Sequence, residues 1–127
     1  MTIRIARLKD VLEEGGAADP GEMRVLVDRL WPRGVRKQAL AGIRWMPEVA
    51  PGTALRRWYG HDPARWEEFR RRYFAELDAR PQAAAPLLDA ARRGRLLLLT
   101  ATRDPARSHA AALADWLKRR LAADGGG

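Results

Sequence analysis

The sequence predicts an α/β protein: a small single-domain three-layer fold with a mostly parallel sheet and helices on both faces. Three observations predict it. The runs Val25-Leu26-Val27 and Leu96-Leu97-Leu98-Leu99 are apolar at every position, as strands are when helices cover both sides of a parallel sheet. Other segments repeat apolar residues at spacings of three and four, the helical period. Asp62-Pro63 and Asp104-Pro105 each set a capping acid before a proline, a helix-start signal.

The elements follow in chain order. Residues 2–8 alternate weakly around Ile3 and Ile5 and predict a first strand at a sheet edge. Gly15-Gly16 and Asp19-Pro20-Gly21 mark a loop with a short helical turn at 10–14. A central strand spans 23–30. Residues 35–42 have room for one or two helical turns, and Pro47 and Pro51 keep 43–49 extended. Thr53 offers an N-cap for a short helix at 54–59, ended by Gly60. Asp62 then caps a helix in which Trp66, Phe69, Tyr73 and Leu77 share one face, so Trp66 is expected to be largely buried. Arg80-Pro81 ends it. A further helix covers 82–93 with Gly94 as its C-terminal residue, and a strand covers 95–100. The last helix is expected to start at Asp104-Pro105 and to bury Ala110, Leu113, Trp116 or Leu117, and Leu121. The domain then spans 1–121, and the glycine-ended tail 122–127 is expected to be disordered. The tetrapeptide Asp-Pro-Ala-Arg occurs at 62 and again at 104, but its flanks differ, so it reads as one capping solution used twice.

Composition narrows the function classes. A chain of 127 residues holds one core. It has no cysteine, which removes disulfides, thiolate catalysis and cysteine-ligated metals. Its two histidines lie far apart, against a zinc site. There is no glycine fingerprint, no P-loop lysine and no nucleophile elbow around Ser108. No metal or cofactor is therefore assigned. Asp28, Asp62 and Asp104 could bind magnesium only if the fold brought them together. With no apolar leader segment and no run near the roughly 20 residues of a membrane span, a cytoplasmic, non-membrane protein is expected. The net charge of +8 raises nucleic acid as a partner. The charge is nearly all arginine, however, and it is interleaved with acids, as in Arg65-Trp66-Glu67-Glu68.

Candidate site residues gather where the two apolar runs end, since ligands of open α/β sheets bind beyond the strand carboxyl ends. The first run ends in Asp28-Arg29-Leu30-Trp31-Pro32-Arg33-Gly34. Arg29 and Arg33, four apart across a proline turn, can clamp a carboxylate or phosphate; alternatively Arg29 pairs with Asp28, which burial would oblige to find a partner. Asp28 and His61 are the candidates for proton transfer. Trp31 and Trp58 can form a stacking wall, although tryptophan in a small domain is commonly core. The second run ends in Thr100-Ala101-Thr102-Arg103-Asp104, a strand-to-helix junction whose free N–H groups suit an anion. Arg103, Asp104 and His109 belong to that candidate anion site.

The blocks Val27-Asp28-Arg29-Leu30-Trp31-Pro32-Arg33-Gly34 and Leu55-Arg56-Arg57-Trp58-Tyr59-Gly60-His61-Asp62-Pro63, with Trp45, Ala50-Pro51, Trp66, Phe69, Arg72, Tyr73, Glu76 and Leu77, resemble the YeaO-like family of small bacterial proteins, a domain-of-unknown-function family. The resemblance covers residues 24–117. It implies a compact α/β fold and no particular activity. One departure stands out: the family tends to carry an amide beside the histidine after the last strand, where this chain has Ser108 before His109.

Two readings follow. The first is a site for a small anionic ligand, a nucleotide or phosphorylated metabolite, held by arginines at the strand ends, with enzymatic action as one form of it. The alternative is a basic regulatory module that contacts nucleic acid or a protein through Arg56-Arg57 and Arg70-Arg71-Arg72.

Overall fold

The computed structural model describes residues 2–15 and 18–125. Its strands β1 (Thr2–Arg7), β2 (Glu22–Leu26), β3 (Ile43–Trp45) and β4 (Arg95–Thr100) form one sheet in the order β1-β4-β2-β3, with every pairing parallel. The two apolar strands are adjacent: β2 lies beside β4 from Glu22 opposite Arg95 to Leu26 opposite Leu99. β1 and β3 take the edges.

Alternation along β4 divides the core. Leu96 and Leu98 join Val25 in the larger cluster, covered by α3 (Trp66–Ala79), α4 (Ala85–Arg93) and α5 (His109–Gly125) through Phe69, Tyr73, Leu87, Leu113 and Leu117. Leu97, Leu99 and Leu26 face the other way, onto Leu8 and Val11 of α1 (Leu8–Glu14) and Leu40 of a 3₁₀ turn at Lys37–Leu40. Both faces are covered, one thickly and one thinly. Among the described residues no helix is long and apolar enough to cross a membrane.

The differences from the sequence reading lie at element ends. β2 stops at Leu26 rather than at residue 30, for a reason that belongs to the site. Residues 43–49 split into β3 and a 3₁₀ turn at Pro47–Val49. Thr53 is the first residue of α2 (Thr53–Tyr59), not its cap. Gly52 precedes it, and its N–H donates to Glu76 Oε1 at 2.8 Å. Asp62 does cap, accepting from Ala64 N at 3.0 Å, but it opens a 3₁₀ turn at Pro63–Arg65 ahead of α3. The second Asp-Pro-Ala-Arg copy also forms a 3₁₀ turn, Pro105–Arg107, and Asp104 makes no side-chain cap bond. α5 is capped instead by Ser108, whose Oγ accepts from Ala110 N at 3.2 Å. α5 continues to Gly125, past the expected end at 121; residues 126–127 of the tail lie outside the described residues. Trp66 is half-buried, the outer member of an aromatic cluster in which Phe69 stacks on Tyr59 at 4.4 Å.

Gly94 terminates α4 with extended backbone, not in the left-handed form. Its need for glycine is steric. A Cβ there would lie 2.9 Å from the Gly21 carbonyl oxygen, which already accepts from Arg95 N at 3.2 Å. Backbone cannot yield as a flexible side chain can. Gly94→Ala is therefore expected to lower stability by about 1–3 kcal/mol, the usual cost of overpacking, measured by urea unfolding.

Candidate functional site

The site begins where the central ladder stops. Val27 N donates to Leu99 O at 3.0 Å, the last backbone bond between the β2 and β4 segments. The next donor on that side, Ala101 N, is taken by a side chain: Asp28 Oδ2 accepts it at 2.8 Å. A carboxylate in place of a backbone carbonyl frees the main chain to leave the sheet, so β2 ends before the charged residues begin. Asp28 Oδ1 lies 3.0 Å from His109 Nε2, and the same nitrogen lies 3.0 Å from Val27 O. Both neighbours are acceptors, so Nε2 carries the ring proton. It has no axis aligned on Oδ1, which is buried without an aligned donor. Burial pulls the Asp28 carboxyl upward. The His109 contact, the Ala101 N–H and the Thr100 hydroxyl outweigh it and hold the group below the usual aspartate range.

Asp28 and Arg29 are thus not partners. Arg29 turns to the segment before α2, donating from Nε to Pro51 O at 3.1 Å and from Nη2 to Ala50 O at 3.3 Å. Backbone carbonyls take the role that sequence reasoning offered to a buried acid. Trp45 Nε1 donates to Asp28 O at 2.8 Å and Trp31 Nε1 to Val35 O at 2.7 Å.

These contacts enclose a cleft of about 370 Å³ beyond the carboxyl ends of β2 and β4. Six of the nine candidates line it: Asp28, Arg29, Trp31, Arg33, His61 and His109. Trp58, Arg103 and Asp104 do not. Trp58 lies on the other side of α2, under the guanidinium groups of Arg72 at 4.2 Å and Arg65 at 5.2 Å. Arg103 and Asp104 are exposed on the way to the Pro105–Arg107 turn. The junction they were to furnish is filled by the protein itself. Ala101 N is bound to Asp28, Thr102 N donates to Thr100 Oγ1 at 3.2 Å, and Ala110 N is bound to Ser108.

Arg56, Tyr59 and Ser108 also line the cleft, though sequence reasoning gave Arg56 to the alternative basic surface and assigned the other two no place in the site. Helical geometry held the signal for two of them. Arg56 and Tyr59 stand three apart on α2 and share a face, while Trp58 falls on the other. Tyr59 OH donates to Arg107 O at 3.0 Å, and burial pushes its phenol above the usual range. Arg33 and Arg56 have no hydrogen bond, ion pair or ring contact with the described residues. His61 follows Gly60 in the left-handed region, with φ of 58° after 53°. It is the one described non-glycine residue with positive φ, a conformation that occurs more often at functional sites.

Residues 3–127 match the family model described as the inactive DUF488-N3 subclade. The chain belongs to that family. Over 118 residues it is 37% identical to the uncharacterised protein YeaO of Escherichia coli strain K12, covering 93% of this chain and 98% of the relative. It is 43% identical to an uncharacterised protein of Mycobacterium tuberculosis strain H37Rv, covering 93% and 95%. The YeaO-like resemblance thus stands on sequence similarity over nearly the whole chain. No solved structure matches the chain.

Two predictions follow from this geometry. The folded Asp28 carboxyl titrates below its unfolded value, about 3.9. Its contribution is therefore complete above that pH and is lost as pH falls through the lower folded value. Melting temperature measured from neutral to acid pH should fall more steeply for the wild type than for Asp28→Asn, which starts lower because a neutral amide lacks the charge that the Ala101 N–H and the His109 contact stabilise. At the left-handed position, His61→Gly should leave stability unchanged or higher, whereas His61→Val should lower it by about 1–2 kcal/mol in urea unfolding.

Proposed function

We propose that the cleft binds a small phosphate-bearing anion and that the protein acts by binding rather than by turnover. One observation carries the reading. Arg33 and Arg56 come from separate segments, line one concave surface, and have no protein acceptor among the described residues. A guanidinium offers up to five N–H donors in a planar fork suited to phosphate. The arginine run on α3 has been supplied with acids. Arg70 pairs with Asp115 at 2.8 Å, Arg71 with Glu68, and Arg72 with Glu68 at 2.9 Å. The Arg70-Arg71-Arg72 run therefore offers little to a nucleic acid, and the free donors at the cleft favour a small ligand. Asp28 is the one acid on the cleft wall; its Oδ2 accepts from the Ala101 N–H and its Oδ1 lies 3.0 Å from His109 Nε2.

Binding is favoured over chemistry on two grounds. Asp28 and His109, the groups best suited to move protons, are held by each other and by backbone. The family description, an inactive subclade, points the same way. His61, whose ring nitrogens take no protein hydrogen bond among the described residues, is the remaining proton-transfer candidate.

A thermal-shift titration with inorganic phosphate and pyrophosphate, against chloride at equal ionic strength, tests the reading. A ligand bound only by the folded state raises the melting temperature, by about 2.7 kcal/mol of added stability at a hundredfold excess over Kd. Saturable increases are expected for the wild type. Arg33→Ala and Arg56→Ala should lose them with little change in the unliganded melting temperature, since both side chains are exposed. No increase with either anion would overturn the reading.

A further inference from the structure

Beside the free arginines lies an aromatic surface for which a bare anion has no use. Leu30, Trp31 and Trp45 are 60%, 37% and 38% exposed, the large apolar residues left open among those described. The two indoles are not loose. They meet edge to face with centroids 5.3 Å apart and planes at 82°. An indole has one hydrogen-bond donor, and each of these is directed inward, to Val35 O and Asp28 O. With that donor satisfied and a ring braced on its neighbour, Trp31 presents only π face and carbon outward. Trp31 also lines the cleft that holds Arg33 and Arg56.

We infer that Trp31 is a stacking platform for the base of a nucleotide whose phosphate is held by Arg33 and Arg56. The inference rests on the anion reading and narrows its ligand from phosphate-bearing metabolites to nucleotides. A nucleotide joins a flat π face to a phosphate through a short sugar, and the cleft offers the two complements on one wall. Every base has a π face, so stacking on a fixed indole needs no hydrogen-bond readout. The volume of about 370 Å³ lies at the small end of small-molecule sites, which suits a mononucleotide better than a dinucleotide. The Trp45 ring acts as a positioning residue, holding Trp31 at its angle.

The test is isothermal titration of the full chain with inorganic phosphate, ribose 5-phosphate, AMP, GMP, CMP and UMP. The proteins compared are wild type, Trp31→Leu, Trp31→Phe and Arg33→Ala. At least one mononucleotide should bind the wild type about 5- to 150-fold more tightly than ribose 5-phosphate, the range a stacked base contributes, and should quench tryptophan fluorescence. Trp31→Leu should bring that nucleotide down to ribose 5-phosphate while leaving phosphate affinity unchanged. Trp31→Phe, which keeps a ring without the Val35 bond, should retain much of the preference. Arg33→Ala should weaken all of the ligands. Equal binding of nucleotides and ribose 5-phosphate by the wild type would overturn the platform and leave the anion reading standing. So would loss of the preference as fully in Trp31→Phe as in Trp31→Leu. No binding of any ligand would end both. Sedimentation closes the remaining route: a wild-type dimer that Trp31→Leu makes monomeric, with nucleotide affinity unchanged, would make the patch a contact between copies and overturn the platform.

Discussion

A single carboxylate stands where the next rung of the central ladder would be, and much of the molecule's working end depends on it. By taking the Ala101 N–H, Asp28 closes the β2–β4 pairing and releases the chain into the turn that carries Trp31 and Arg33. By lying against His109 Nε2, it ties the first residue of α5 to the same strand ends. The residue after it, Arg29, reaches across to the carbonyls at 50 and 51 and so fixes the approach to α2, which brings Arg56 and Tyr59 to the cleft. Neighbouring residues of opposite charge ignore each other and instead anchor different walls.

Against that arrangement, a chain with net charge +8 neutralises part of its helical surface. Acids are distributed along the helices so that Arg70, Arg71, Arg72 and Arg92 find partners within a turn or on the adjacent helix. Such exposed pairs contribute little to stability, but they remove donors from the surface. At the cleft the one acid is engaged by an imidazole and a backbone amide, and Arg33 and Arg56 stay unmatched. The site is distinguished by where its two unmatched arginines lie, on one concave surface with Trp31.

The layers were legible in the sequence because burial on both faces leaves an unbroken apolar run, as at 25–27 and 96–99. The aromatic stripe of α3 was legible for the same reason, except at Trp66, where Tyr59 and Phe69 stack beneath it. Caps were less legible. The Asp-Pro signal at 104 is genuine local chemistry, but it yields only a 3₁₀ turn, and Ser108 four residues later opens the helix. Five of the candidate site residues lie together because adjacent parallel strands must end on one edge, and His61 joins them on the turn after α2. Trp58 was misjudged because nothing local says which face of a two-turn helix looks inward. Arg103 and Asp104 were misjudged because the junction's donors are satisfied by residues 28, 100 and 108, a long-range fact in the first case.

The strand order β1-β4-β2-β3 also bears on how the chain can be made. The first two strands do not touch each other; each waits for β4, which ends at Thr100. Until Thr100 has left the ribosome, β1 lacks its neighbour and β2 can pair only with the three-residue β3. Loop closure over so long a separation precedes any gain from pairing. A nascent chain of this protein must therefore hold β1 and the apolar β2 without the strand that joins them until β4 has been made.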